Sequence, residues 1–141
     1  MKVLFPIDGS DCALAALDRF ATIVHLFGEP PELVLMNVQL PMSDPRLIEL
    51  VGQEVMAQYY AEQSEEAIAR ARERLEQRGR IFRVEKQVGD PAQQIVYFAA
   101  TEQCELIAMG THGRTALKNL VMGSVATKVL AASKVPVLFL K

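Results

Sequence analysis

The chain has only two cysteines in 141 residues, Cys12 and Cys104. They are too few and too far apart for a disulfide framework or a cysteine-bound zinc site. A reducing, cytoplasmic setting is therefore the expectation. No apolar run approaches the ~18 residues needed to span a bilayer, so no membrane partner is expected. The opening Met1-Lys2-Val3-Leu4-Phe5-Pro6 lacks a signal-peptide layout, because Asp8 arrives before an apolar core can develop. Charge of one sign is also lacking. A formal net charge of −2 argues against a nucleic-acid partner held by bulk electrostatics. There is no internal repeat and no low-complexity tract.

Several signatures of chemistry are missing. Without a G-x-x-x-x-G-K-[ST] stretch the chain is not a P-loop NTPase. No G-x-G-x-x-G follows the first apolar run, which argues against a dinucleotide site of the usual kind. A G-x-S-x-G nucleophile elbow is absent. No His, Cys, Asp and Glu residues fall at metal-ligand spacing.

What remains is a soluble globular composition, 50% apolar and 23% charged. Residues 1–141 read as one domain, long enough to bury a sizeable core. Residues 3–7 and 33–38 are short, nearly continuous apolar runs, as in strands buried on both faces of a parallel sheet. Pro6 fits the C-terminal end of its strand. Asp8-Gly9-Ser10-Asp11 marks a turn and a helix start, with Ser10 or Asp11 as N-cap. The helix is predicted over about residues 12–27, with Leu14, Leu17, Ala21, Val24 and Leu26 at helical spacing. Gly28 ends it and Pro30-Pro31 forbids continuation.

A long helical pattern covers residues 46–78, with Ser43 or Asp44 as cap, Pro45 at the first position and Gly52 as an early bend or break. Ala67, Ala71 and Leu75 form its inner stripe. Glu66 with Arg70 and Arg72 with Glu76 are (i, i+4) pairs on a solvated outer face. Residues 81–88 read as a strand at an edge or with one wet face, after Gly79 as helix terminator. Asp90, Pro91 and Gln93 make a capping box for a helix reaching Thr101. Residues 105–109 are the fourth strand and residues 124–132 the last helix. Val135-Pro136-Val137-Leu138-Phe139-Leu140 is the fifth strand. The alternation βαβαβαβαβ predicts an α/β fold: a single-domain, doubly wound, five-stranded parallel sheet of Rossmann-like type with helices on both faces.

In such sheets ligands bind beyond the C-terminal strand ends, where the strand order reverses. Asp8-Gly9-Ser10 lies at one such end and Met109-Gly110-Thr111-His112-Gly113-Arg114 at another. The latter continues to Met122-Gly123-Ser124-Val125, so that Gly110, Gly113, Gly123 and Ser124 carry the spacing G-x2-G-x9-G-[ST]. Glycine lets backbone approach a phosphate closely and take positive φ. The helix start that follows offers free N–H donors and a partial positive charge.

These motifs, in this order, resemble the universal stress protein family, and specifically its ATP-binding branch. The opening Pro6-Ile7-Asp8-Gly9-Ser10, the Gly89-Asp90-Pro91-Ala92 junction and the glycine spacing carry the likeness. It spans the whole chain and is least definite over residues 41–63. The resemblance implies strand order 3-2-1-4-5, which would set Asp8 and the Gly110 loop facing one crevice. It implies ATP with Mg2+ or Mn2+. Carried over by position, Gly110, Gly113, Gly123, Ser124 and Val125 would bind ribose and phosphates. Asp8 would face the ribose or the metal–phosphate unit, and Pro6, Ile7, Val38 and Met109 would line the adenine slot. A homodimer is implied as well.

Some residues carry two readings. Asp8 either caps the first helix or faces the ligand; Ser10 and Asp11 are available as caps, which favours the ligand. His112 either touches a phosphate and acts in acid–base chemistry or faces solvent. Arg114 either pairs with a terminal phosphate or is exposed. Lys118 reads as exposed, His25 as a partner of the helix C-terminus, Cys12 as a small packing residue and Cys104 as structural. The apolar fifth strand lacks a protecting charge before Lys141. If it is an edge, it is a pairing template suited to a second copy; a local helix or loop over it is the alternative.

The expected function is a cytoplasmic, homodimeric, ATP-binding regulatory module of the stress response. The competing readings are a slow ATPase or autophosphorylating enzyme, and an interaction protein that uses no nucleotide. Only Asp8 and His112 offer catalytic groups near the phosphates, so no catalytic residue is assigned.

Overall fold

The structure, a computed structural model, describes residues 1–113 and 122–141. In chain order the elements are β1 (Lys2–Pro6), α1 (Asp11–Ile23), a 3-10 turn (Val24–Phe27), β2 (Glu32–Gln39), α2 (Pro45–Val51), α3 (Gln53–Gln77), β3 (Phe82–Val88), α4 (Pro91–Thr101), β4 (Leu106–Gly110), α5 (Ser124–Ala132) and β5 (Val137–Leu140). All strand pairings are parallel, in the order β3-β2-β1-β4-β5. The predicted doubly wound sheet is therefore present, and the order reverses between β1 and β4.

Alternating side chains of the central strands feed two cores. Val3, Phe5, Leu33 and Leu35 face α1 and α3, where they meet Leu14, Phe20, Ile68 and Leu75. Leu4, Val34, Met36 and Ile107 face α4 and α5, where they meet Ile95, Ala99 and Val129. Phe5 and Phe20 lie with ring centroids 5.8 Å apart and both rings buried. Each such buried side chain contributes about 2–3 kcal/mol.

Local chemistry accounts for most boundaries. Ser10 is the N-cap of α1, its Oγ accepting from the Ala13 N–H at 3.1 Å. Asp44 caps α2 by accepting from Arg46 N–H, with Pro45 in the first turn. Asp90 caps α4 by accepting from Gln93 N–H at 3.0 Å. Gly52 takes φ +85 and divides the predicted long helix into α2 and α3. Only glycine adopts that conformation without strain.

Several expectations are corrected. The first helix stops at Ile23 and tightens into the 3-10 turn, which rotates Leu26 out of the inward stripe and leaves it exposed. His25 thus lies in the turn and not in α1. The (i, i+4) ion pairs on α3 do not form. Apart from Glu65 with Arg72, two turns apart on α3, the charges reach other elements: Arg70 pairs with Asp11 of α1 at 2.9 Å, and Arg74 and Arg78 both pair with Asp18 of α1. Glu65 takes Arg72 at 2.6 Å and Lys86 of β3 at 2.5 Å. The Lys86 hydrogen bond, joined by Arg72 and opposed by partial burial, holds the Glu65 carboxyl below its usual range. Cys12 is exposed and does not serve as packing, whereas Cys104 is buried. Strand β5 begins at Val137, later than the 135 expected, because Ser133 Oγ folds the preceding segment over Val135.

Candidate functional site

The strand order brings the C-terminal ends of β1, β2 and β4 to one side of the sheet, and a cavity of about 590 Å3 opens there. From β1 it is lined by Pro6, Ile7 and Asp8, and from β2 by Val38. Met109, Gly110 and Gly113 line it from β4 and the segment beyond. Gly123, Ser124 and Val125 line it from the start of α5. The structure thus brings together all the site residues expected from the sequence except Arg114, which lies outside the described residues, as does Lys118.

The phosphate-like end is built from backbone. Gly123 is the N-cap of α5 and supplies no side-chain cap, and the first turn of α5 holds no acidic residue. The first intrahelical bond runs from Thr127 N–H to Gly123 O. The N–H groups of Ser124, Val125 and Ala126 therefore precede any helical acceptor, and the positive end of the helix dipole is directed there. Gly123 N–H itself donates to Thr111 O at 2.7 Å, which ties the helix start to the end of β4. The starts of α1, α2 and α4, by contrast, carry the side-chain caps Ser10, Asp44 and Asp90.

The motif glycines are required for a different reason than positive φ, which none of the three adopts. Gly123 sits at φ −73. What they provide is space. A Cβ on Gly113 would collide with Asp8 Oδ2. One on Gly123 would press on Thr111 O at 3.3 Å and His112 Cα at 3.4 Å, and one on Gly110 would meet His112 O at 3.3 Å and Ala16 of α1 at 3.5 Å. Gly110 is also the last residue of β4, paired with Leu140, and not part of the loop.

Asp8 does not cap α1, whose N-cap is Ser10; it lines the cavity instead. Oδ1 accepts from Ser10 N–H at 3.0 Å, which orients the carboxylate at the helix start. Oδ2 lies directly against Gly113. Beside it, Thr111 Oγ1 and His112 Nδ1 lie 3.0 Å apart, with Thr111 buried.

Residues missed in the sequence complete the walls. Asn37, only 1% exposed, donates from Nδ2 to Ile7 O at 2.8 Å and accepts at Oδ1 from Gln39 Nε2 at 2.8 Å. Tyr60 of α3 accepts from Met42 N–H at 2.6 Å and so folds the β2–α2 connection over the cavity mouth. The signal for Asn37 was present: two amides, Asn37 and Gln39, close a strand whose centre from Leu33 to Met36 is apolar. Nothing in residues 41–63 announced Tyr60.

The residues fit a divalent cation that arrives on a ligand's phosphates more readily than a resident ion. Among the described residues no three His, Cys, Asp or Glu side chains could hold a metal together. Among the described residues that line the cavity Asp8 alone offers a carboxylate, and a phosphate-borne Mg2+ typically needs only one or two.

Comparison with known proteins gives a consistent result. The model of the universal stress protein family matches residues 1–141. Universal stress protein MJ0531 of Methanocaldococcus jannaschii is 31% identical over 145 residues, covering 99% of this chain and 81% of that protein. The solved structure of MJ0577, a universal stress protein of the same organism, superposes with TM-score 0.78 at 31% identity, over 99% of this chain and 94% of that one. The universal stress protein from Archaeoglobus fulgidus, solved in complex with dAMP, matches with TM-score 0.65 at 22% identity, over 100% of this chain and 98% of that one, a likeness of fold.

Proposed function

The chain belongs to the universal stress protein family, and on that premise we propose that it is an adenine-nucleotide-binding regulatory module. The observation that carries this reading is the α5 start: a helix N-terminus without side-chain cap or acidic first turn, lining the same cavity as Asp8 and the apolar strand ends. Free N–H donors suit phosphates, and Ile7, Val38 and Met109 offer the flat apolar surfaces a base requires. The dAMP held by the Archaeoglobus fulgidus relative supports an adenine nucleotide as the ligand class.

Within that reading the nucleotide is ATP with Mg2+ or Mn2+. Gly110, Gly113, Gly123, Ser124 and Val125 hold the ribose and phosphates, and Arg114 pairs with the terminal phosphate. Asp8 faces the ribose or the phosphate-borne ion. The metal supplies charge neutralisation of the phosphates. Turnover is not the favoured role: the described groups nearest the phosphates are Asp8, already oriented by Ser10 N–H, and the Thr111–His112 pair. The cavity then reports nucleotide state to a partner in the cytoplasm.

The assembly proposed is a C2 dimer through β5. This strand is the sheet edge next to β4. Pro136 O and Leu140 O accept from β4-side N–H groups, so the intervening Val137 and Phe139 turn their backbone groups outward. An apolar strand with free outward groups is a template for the same strand of a second copy.

Mass spectrometry of the denatured purified protein, together with a thermal scan in Mg-ATP and in AMP, tests the nucleotide reading. Carried-over adenine nucleotide or a raised melting temperature is expected. Neither carried nucleotide nor any shift would refute it.

A further inference from the structure

The geometry points to Gln39 as the residue that selects the base, an inference that rests on the nucleotide reading above. A three-group relay settles which way its amide faces. Ile7 O is a backbone carbonyl and accepts only, so the Asn37 atom bonded to it at 2.8 Å is the amino group Nδ2. That leaves Asn37 Oδ1 as the acceptor at the other side of the amide. The Gln39 atom that meets it at 2.8 Å is therefore the donor Nε2. The carbonyl fixes the polarity of the whole relay, including the orientation of both amides.

The consequence is that Gln39 ends the relay with its carbonyl oxygen. Oε1 takes no donor from the described protein groups, and Gln39 lines the cavity. The anchor is firm: Asn37 is buried to 1% exposure, and Gln39 is held at both ends of its strand position, since its own backbone O accepts from Gly89 N–H at 2.9 Å. The relay is thus preorganised before any ligand arrives.

Its place in the sheet gives it a task. Gln39 closes β2, while the uncapped helix start follows β4, and β1 lies between them. The two ends of the cavity are then two strand spacings apart, about 10 Å. A nucleotide with phosphates at α5 directs its base toward β2. There an acceptor awaits. The exocyclic amine of adenine donates to it; the exocyclic oxygen of hypoxanthine or guanine, itself an acceptor, opposes it. A site that leaves a polar group facing a like group rejects that ligand strongly.

The test is a calorimetric comparison of AMP with inosine monophosphate, which differ at the position in question, on the full chain. AMP is expected to bind about tenfold or more tighter, the scale of one hydrogen bond in a partly desolvated site. Gln39→Leu should lower that ratio by about tenfold, mainly through weaker AMP binding. Gln39→Lys, which presents a donor, should shift the ratio further toward the inosine nucleotide. A single cooperative thermal transition in the absence of nucleotide shows that both variants fold, with the midpoint of Gln39→Leu lowered by the lost bond to Asn37 Oδ1. Equal affinities in the parent protein, or an unaltered ratio in Gln39→Leu, would overturn base selection by Gln39 while the nucleotide site stands. No binding of either nucleotide to the parent would overturn the site itself, and this inference with it.

Discussion

Gly113 and Asp8 meet with no room for a side chain between them: a methyl group built on Gly113 lands against Asp8 Oδ2. The Asp8 carboxylate cannot simply swing aside, because its Oδ1 holds Ser10 N–H at the start of α1. Residues 105 positions apart in sequence are thereby fitted to each other across the reversal point of the sheet.

Gly113→Ala should accordingly displace either the loop or the carboxylate. Overpacking of this kind costs about 1–3 kcal/mol. We expect nucleotide affinity to fall about tenfold or more, since one of the two walls must move. Combining it with Asp8→Gly, which opens the space, should recover part of the stability lost. Titration and urea unfolding of the single and double variants check both statements.

The helix starts predict a contrast. Ser10→Ala removes the Oγ that accepts from Ala13 N–H and should cost about 1 kcal/mol, or 2–4 °C of melting temperature in a chain of this size. Ser124→Ala should change stability by less than about 0.5 kcal/mol, because Ser124 is exposed and follows the cap position. Its effect should appear in nucleotide affinity. Thermal unfolding without ligand, followed by titration, separates the two.

The two cysteines should differ in reactivity and in their effect at alkaline pH. Cys12 is exposed and should react with a thiol reagent at once; Cys104 is buried and should react only on opening. Burial, the largest cause, pushes the Cys104 thiol above its ordinary range. Between the unfolded thiol value, about 8.5, and the raised folded value, the folded state keeps a proton that the unfolded state has released. Stability should therefore fall as pH rises through that window, and Cys104→Ala should remove this part of the alkaline loss. Urea midpoints from neutral to alkaline pH measure it.

The β5 edge calls for a backbone test. Val137 and Phe139 pack their side chains on the α4–α5 core, so a charge placed there would disturb the monomer as well as the dimer. Phe139→Pro removes an outward N–H, with no loss from the β4 ladder, though at the cost of some packing. Sedimentation should show a dimer for the parent and a monomer for the variant. A variant that stays dimeric would count against pairing through this strand.

How much of this was legible beforehand follows from what kind of signal each feature leaves. Strands β1, β2 and β4 are written as apolar runs and Asp90 as a cap, while Ser10 and Asp44 are each one of two neighbouring candidates, because these features depend on neighbours in sequence. The strand order came with the family resemblance, not from periodicity. The glycine spacing pointed to the cavity, and of the two causes read into it, close approach and positive φ, the described structure shows only close approach, here to groups of the fold itself around Gly110, Gly113 and Gly123. Ion pairs were read within α3, whereas Arg74 and Glu65 reach α1 and β3, contacts that no local spacing encodes. The relay from Ile7 through Asn37 to Gln39 joins two strands 30 positions apart. It becomes visible only when the sheet sets them side by side.

If the open helix start at Gly123 and the strand ends around Asp8 form one nucleotide site, a side chain at Gly123 must weaken binding at that site. Isothermal titration of AMP and Mg-ATP into the parent protein and into Gly123→Val tests it most directly. The added Cβ would lie 3.3 Å from Thr111 O and 3.4 Å from His112 Cα, and the rest of the valine side chain needs further room beside the α5 start. Saturable binding to the parent is expected, with affinity lowered by about a hundredfold or more in a variant that still unfolds cooperatively. Equal affinity in the two proteins, or no heat of binding in the parent, would contradict it.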